Sequence, residues 1–263
     1  MKNPDELLSE GHRPAFLCIK WGKAFDATAV NILKRAALEH CSLDVRFVCL
    51  TDNADGFDSD IEAYDIPALS FYDDCPRIGI WPKVSLFHPD LQMHLDQVVF
   101  LDLDMLVVGS LDRFFEDPGA DLRMMVAGKR WKTMDPSQPA STNSTVMAYR
   151  VAEHTNIFET FSENKETITQ QYQLEQAYVG ATAKSQTFLP MQWVQSFKYH
   201  LRRQYLVDLV LPPKRYSDEA KIVAFHGFPR PVDVAVKGNK WARPPRSGLW
   251  RPKWVIDYWK KYK

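Results

Sequence analysis

The run Val98-Val99-Phe100-Leu101-Asp102-Leu103-Asp104-Met105-Leu106-Val107-Val108 sets two carboxylates, one residue apart, at the exit of an apolar stretch long enough for a buried parallel strand. Desolvation and mutual repulsion both oppose ionising two aspartates in apolar surroundings, so the pattern asks for a compensating cation. Mg²⁺ or Mn²⁺ meets that demand and brings phosphate oxygens with it. A second triplet of the same spacing, Asp58-Ser59-Asp60, follows the polar, turn-forming Thr51-Asp52-Asn53-Ala54-Asp55-Gly56 and is expected to be a solvated loop. The flanking residues distinguish the two.

The segments around this exit alternate strand and helix. Ala15 to Ile19 reads as a first strand, and Val30, Leu33, Ala37 and Leu38 recur at helical spacing over Ala27 to His40. Asp44 to Leu50 then reads as a second strand ending at Thr51-Asp52. Strand, helix, strand implies a parallel pair joined by a right-handed crossover. Trp81 to Phe87 suits a short helix begun by Pro82, and Gln97 to Leu101 supplies the next strand. Beyond residue 120 the pattern loosens into Met124-Met125-Val126-Ala127 and a polar loop; further strands are expected at Thr145 to Tyr149 and Lys221 to Phe225, with helices over His154 to Asn164 and Gln171 to Val179. The class is α/β with a mainly parallel sheet, whose ligands collect at the carboxyl ends of the strands. Lys20-Trp21, Asp52 and Asp102-Asp104 all fall at such ends.

With 45% apolar residues over 263 positions the chain can bury a full core, which excludes disorder as its main state. It has no run of about 18 apolar residues, and Met1-Lys2-Asn3-Pro4-Asp5-Glu6 lacks the basic and apolar regions of a secretory signal. Cys18, Cys41, Cys49 and Cys75 show no C-x-x-C spacing. A cytoplasmic protein with reduced, structural thiols is expected.

A formal net charge of zero hides a division. Residues 237–263 carry nine Lys or Arg against the single acid Asp257, together with four of the eight tryptophans: Trp241, Trp250, Trp254 and Trp259. Rings interleaved with cations suit peripheral attachment to an anionic lipid surface at the inner membrane face, or a helix packing its Trp side back onto the domain. No nucleic-acid reading motif accompanies the charge. Residues 1–236 are read as the main domain and 237–263 as a basic, aromatic tail, with the Pro-rich Pro229 to Pro252 stretch wrapping the surface.

The order Trp81-Pro82-Lys83, Phe100-Leu101-Asp102-Leu103-Asp104, Asn143-Ser144-Thr145-Val146-Met147, Glu175-Gln176 and Phe225-His226-Gly227 resembles the glycosyltransferase family of glycogenin and the lipopolysaccharide galactosyltransferases, family 8, over roughly residues 15–235. The resemblance implies a GT-A fold and transfer of a sugar from a nucleotide-sugar donor, UDP-linked and with retention, to a glycan or lipid-linked acceptor. It further implies that Asp102, Asp104 and His226 hold a divalent cation, with Asp102 also touching the donor ribose. An imidazole in that set favours Mn²⁺ over Mg²⁺. Without the resemblance, His226 reads as a strand-end histidine bonded to backbone.

The remaining site residues follow the same resemblance. Lys83 would contact donor phosphate or sugar, although a lysine in a short amphipathic helix is ordinarily solvated. Gly227 would let the backbone approach the diphosphate. The family carries a lysine after its His-Gly block, and here the nearest cation is Arg230, whose guanidinium can grip phosphate bidentately. Asn143 and Ser144 would orient sugar hydroxyls, or form a polar loop entering a strand. Glu175 would bind acceptor hydroxyls, Gln176 would stabilise developing positive charge, and Asp52 would meet the nucleotide by fold analogy. Two other classes share part of this pattern. A haloacid dehalogenase-like phosphatase also has an aspartate pair after an apolar strand, but near the start of its domain and with Thr or Val where Leu106 stands. A catalytically silent sugar-nucleotide-binding scaffold would keep the same residues without turnover.

Overall fold

Alternation along one strand organises the centre of the molecule. In β1 (Ala15–Lys20), Phe16 and Cys18 face one hydrophobic layer while Ala15, Leu17 and Ile19 face the other, and all six residues of the strand are buried. The computed structural model describes residues 13–76, 78–242 and 250–263. The Met1 to Glu6 stretch and residues 243–249 of the Pro-rich segment lie outside the described residues.

β1 continues through α1 (Ala27–Glu39), whose first turn is capped by the Asp26 carboxylate accepting from the Ala29 N–H, into β2 (Arg46–Thr51). β1 and β2 pair in parallel from Ala15 opposite Arg46 to Lys20 opposite Thr51. With β3 (Glu62–Asp65), β4 (Gln97–Leu101), β6 (Leu122–Val126), β7 (Thr142–Arg150) and β8 (Gln186–Phe188) they form a seven-stranded sheet in the order β3-β2-β1-β4-β7-β6-β8. The first four strands are mutually parallel, and β7 runs antiparallel to both β4 and β6. A smaller sheet, β5-β10-β9, joins β5 (Met105–Val107), β10 (Ile222–Ala224) and β9 (Val194–Ser196).

The late strand expected at Lys221 to Phe225 forms, but in the small sheet. β10 pairs antiparallel with β5, which begins directly after Asp104. This pairing, continued by the Phe225 N–H donating to the Asp104 carbonyl at 2.9 Å, brings two segments more than a hundred residues apart into contact.

Helices α2 (Gly128–Thr133), α3 (Asn156–Gln171), α4 (Glu175–Thr182), α5 (Tyr205–Asp208), α6 (Pro231–Ala235) and α7 (Lys253–Tyr262) complete the chain. Two sequence-derived boundaries shift. The helix expected to stop at Asn164 runs on to Gln171, because the break at Asn164 is a kink in which its side-chain amide donates to the Thr160 carbonyl. The next helix starts at Glu175 rather than Gln171. Trp81 to Phe87 is helical with 3₁₀ geometry, Pro82 standing in its first turn.

One face of the large sheet is covered by α1, the small sheet and α7, the other by the Trp81–Phe87 turn, α3 and α4. The tail therefore divides by residue. Trp241, Val255, Tyr258, Trp259 and Tyr262 are buried in the core, and the Val107 N–H of the edge strand β5 donates to the Tyr258 hydroxyl oxygen at 3.1 Å. The Arg251 guanidinium donates to the carbonyls of Asp233, Val234 and Val236 at the end of α6. Trp250, Lys253, Lys260, Lys261 and Lys263 remain exposed. All four cysteines are free, and no helix among the described residues is long and apolar enough to cross a membrane.

Candidate active site

β4 ends at Leu101, yet the next N–H, that of Asp102, still donates to the Thr145 carbonyl on β7 at 3.1 Å. The two aspartates thus occupy the short turn between β4 and β5, fixed on one side by the large sheet and on the other by the small one. They open into a cavity of about 790 Å³ at the carboxyl ends of β1, β2 and β4, whose lining includes Lys20, Asp52, Lys83, Asp102, Asp104 and Arg230.

Asp102 is gripped from below. The Lys83 ammonium lies 2.7 Å from its Oδ2 and 5.3 Å from the centre of the Phe100 ring. Burial pushes the Asp102 carboxyl up to about 7, with Lys83 pulling against the shift and Asp104 adding to it. Burial alone would lower the Lys83 ammonium, but the charges of Asp102 and Glu175 outweigh it and hold Lys83 above its ordinary value. Lys83 also reaches the Ser144 hydroxyl at 3.5 Å, and that hydroxyl donates to Glu175 Oε1 at 2.9 Å. Glu175 Oε2 accepts the Ile80 N–H at 2.9 Å. The chain Asp102-Lys83-Ser144-Glu175-Ile80 therefore ties the turn after β4 to β7, to the start of α4 and to the wall of the cavity.

Asp104 is held differently. Its Oδ2 accepts the Gly227 N–H at 2.9 Å, and Gly227 has φ +87°, a conformation that a side chain would strain. On the opposite wall, Asp52 accepts the Gly22 N–H at 2.7 Å and lies 3.7 Å from the Lys20 ammonium. The Arg230 guanidinium lies over the Phe25 ring at 4.6 Å and donates to the Ala24 carbonyl.

His226 departs from the expected ligand set. Its backbone is left-handed, φ +37°, and its Nε2 lies 2.6 Å from the Ser196 hydroxyl of β9. The ring stacks on Tyr199 at 5.1 Å and meets Trp131 edge-on at 5.5 Å, and burial lowers its pKa to about 4. Among the described residues no three His, Cys, Asp or Glu side chains converge as a cation site. Asp102 and Asp104 alone nevertheless fit one kind of ion, a hard cation held by one or two carboxylates that takes its other oxygens from substrate phosphate and water. With the His226 imidazole turned to Ser196, Asp102 and Asp104 as oxygen ligands suit Mg²⁺ and Mn²⁺ alike.

Of the other residues singled out in the sequence, Trp21 and Gly227 line the cavity, and Ser144 and Glu175 are buried beside Lys83. Asn143 and Gln176 are not part of the lining. The Asn143 side-chain oxygen accepts the Thr145 N–H, and the Gln176 carbonyl accepts the Thr142 hydroxyl. Asp58 is half-buried and ion-paired, Arg35 donating to both its oxygens at 2.8 and 2.6 Å, while Asp60 stays solvent-exposed as expected and meets Lys34 at 2.5 Å. Tyr72, Gly79, Ile80 and Trp81 line the cavity without having been identified as site residues. Tyr72 lies in a stretch with no periodicity to mark it.

No protein-family model matches the chain, and no curated protein matches its sequence. Solved structures do match. The galactosyltransferase LgtC, in complex with donor and acceptor sugar analogs, aligns over 95% of this chain and 96% of its own with a TM-score of 0.61 at 14% identity. The apo glycosyltransferase GlyE of Streptococcus pneumoniae aligns over 95% of this chain and 63% of its own, with a TM-score of 0.54 at 16% identity. The apo form of mouse xyloside xylosyltransferase 1 aligns over 82% and 98%, with a TM-score of 0.50 at 12% identity. The chain has the GT-A fold of these glycosyltransferases.

Proposed function

We propose that this chain is a glycosyltransferase that takes a sugar from a nucleotide donor, most simply a UDP-sugar, and passes it to a glycan or lipid-linked acceptor. The observation that carries this reading is the placement of Asp102 and Asp104 at the mouth of a cavity on a GT-A fold, one braced by Lys83 and the other by Gly227. Donor and acceptor sugar analogs bound to LgtC support the substrate class. The phosphatase reading finds no support, since the aspartates leave the fourth strand of the sheet and an antiparallel β7 lies beside it.

In this reading the nucleoside sits toward Asp52, Lys20 and Trp21, the diphosphate toward Asp104, Gly227 and Arg230, and the sugar toward Lys83 and the Ile80–Trp81 wall. Asp102 and Asp104 would hold a Mg²⁺ or Mn²⁺ ion, which when bound neutralises charge on the departing diphosphate. The chain's own residues do the rest. Arg230 offers a planar cation to phosphate oxygens. Lys83 keeps Asp102 oriented, and Glu175 acts as a positioning residue through Ile80 and Ser144. The exposed tail cations Lys253, Lys260, Lys261 and Lys263, with Trp250, support a face that meets an anionic membrane surface where a lipid-linked acceptor would be found.

The test is turnover. With Mn²⁺ or Mg²⁺, a panel of UDP-sugars and sugar acceptors, the protein should release UDP, give a product of retained configuration by NMR, and lose at least about 100-fold in kcat on Asp104→Asn substitution. Binding without turnover across the panel would assign a scaffold, and phosphate release from simple phosphoesters would assign the phosphatase.

A further inference from the structure

Four aliphatic side chains stand in water between positions 206 and 211: Leu206 is 73%, Val207 39%, Val210 64% and Leu211 45% exposed. Other exposed apolar residues, such as Leu43, Met93 and Phe188, stand singly in their segments and need no partner. The four share one face. The Asp208 N–H donates to the Gln204 carbonyl and the Leu211 N–H to the Val207 carbonyl, which carries the helical turn of α5 on to Leu211. Positions i, i+1, i+4 and i+5 of such a turn lie side by side. Asp208 and Leu209 fall on its other side, where Asp208 is buried and Leu209 half-buried. The turn is therefore amphipathic with its apolar face outward, the reverse of a helix that helps to build a core.

The base of this loop is tied at three points. The Arg202 guanidinium pairs with Asp208, their side chains 6% and 1% exposed, and lies over the Trp241 ring at 4.7 Å. Arg203 Nε donates to the Pro212 carbonyl at 2.8 Å, and the Lys214 N–H donates to the Leu201 carbonyl at 2.8 Å, so the two ends of the loop meet. Turning the aliphatic face inward would pull Asp208 out of its buried pair, which keeps that face in solvent. The charge around it has one sign. Residues 198–216 hold five Lys or Arg against Asp208 alone, and Arg202 neutralises that acid. Lys214 and Arg215 are exposed at the foot of the loop, and the Lys214 carbonyl accepts the Trp254 Nε1–H at 3.2 Å, which joins the loop to the basic helix α7.

We propose that Leu206, Val207, Val210 and Leu211 insert into the surface of an anionic lipid bilayer, with Lys214 and Arg215 meeting the headgroup phosphates. Cations alone hold a protein at the headgroup plane, as the exposed lysines of the tail would, whereas an apolar turn set among them adds burial at the acyl boundary and fixes the orientation. The insertion element is thus a loop separate from the tail, and the inference does not depend on the glycosyltransferase reading of the cavity.

The experiment is co-sedimentation with vesicles of phosphatidylcholine containing about 30% phosphatidylglycerol, in about 0.05 M and about 0.5 M NaCl. Wild type is compared with the double variants Leu206→Gln/Val210→Gln and Lys214→Gln/Arg215→Gln. Glutamine in place of Leu206 and Val210 leaves the charge unchanged, and because both side chains are exposed the melting temperature should stay within about 2 °C of wild type. That variant should lose roughly tenfold or more in partition coefficient at both salt concentrations. Lys214→Gln/Arg215→Gln should lose about as much in low salt and little in high salt. Wild type that fails to bind the anionic vesicles, or Leu206→Gln/Val210→Gln binding as well as wild type, would overturn the inference. Sedimentation velocity without lipid should show the same species for wild type and the glutamine variant; a wild-type dimer that these glutamines dissociate would assign the face to a second copy of the chain and also overturn it. UDP release with a soluble acceptor tests the glycosyltransferase reading separately from all of these outcomes.

Discussion

Asp58 and Asp102 each begin an Asp-x-Asp triplet, and their surroundings give them different partners. Asp58 lies against α1, where the Arg35 hydrogen bonds hold its carboxyl below the ordinary aspartate range despite partial burial, and Arg35 extends on to the carbonyls of Tyr262 and Lys263. A carboxyl whose folded pKa is depressed stabilises the fold above its unfolded value near 4 and loses that contribution as the pH falls through the folded value. Asp58→Asn should therefore cost about 1 kcal/mol at pH 7, and the gap from wild type should close as the pH drops below about 4. Parallel melting curves at pH 7 and pH 3 check this; a gap that persists in acid contradicts it. The apolar flanks of Asp102 were enough to tell the triplets apart, because burial of a strand end is a local property. The direction of the His226 ring was not legible, since it depends on a left-handed backbone and on Ser196, Tyr199 and Trp131, which come from distant parts of the chain.

At the scale of elements, α4 shows why the contacts among Lys83, Ser144 and Glu175 were not legible, although each residue had been singled out. It has eight residues, too few to fix its ends from the sequence pattern, and its place is set by Gly180 lying against Thr142 of β7. A Cβ on Gly180 would come within 2.4 Å of the Thr142 side chain and 2.8 Å of its Cβ, so the helix can approach the strand only with glycine there. The first residue of the same helix is Glu175, which binds Ile80, 95 positions earlier. Gly180→Ala should destabilise the protein by roughly 1–3 kcal/mol in chemical denaturation, despite alanine's better helix propensity. An unchanged or higher stability would show that α4 docks less tightly than the structure indicates. By contrast β1, α1, β2 and β4 were legible because their period-two and helical repeats are contained within single segments.

At the scale of the whole molecule, the parallel strands deliver Lys20, Asp52 and Asp102 to one edge, and the small sheet closes that edge by carrying Gly227 to Asp104. This crossing was hidden from the sequence, because β5 and β10 are three-residue strands that pair across more than a hundred positions. The tail contributes from behind: Tyr258 caps the open edge of β5, so the aromatic residues of α7 buttress the strand that begins immediately after Asp104. The glycosyltransferase reading requires the aspartate turn to bind a nucleotide sugar together with a cation. Calorimetric titration of the best-bound UDP-sugar into wild type and Asp104→Asn, each with Mn²⁺ and with chelator, tests this most directly. The predicted result is binding in wild type that weakens at least about tenfold on chelation, with Asp104→Asn weak under both conditions. Equal affinity with and without the cation, or full cation-dependent affinity in Asp104→Asn, would contradict it.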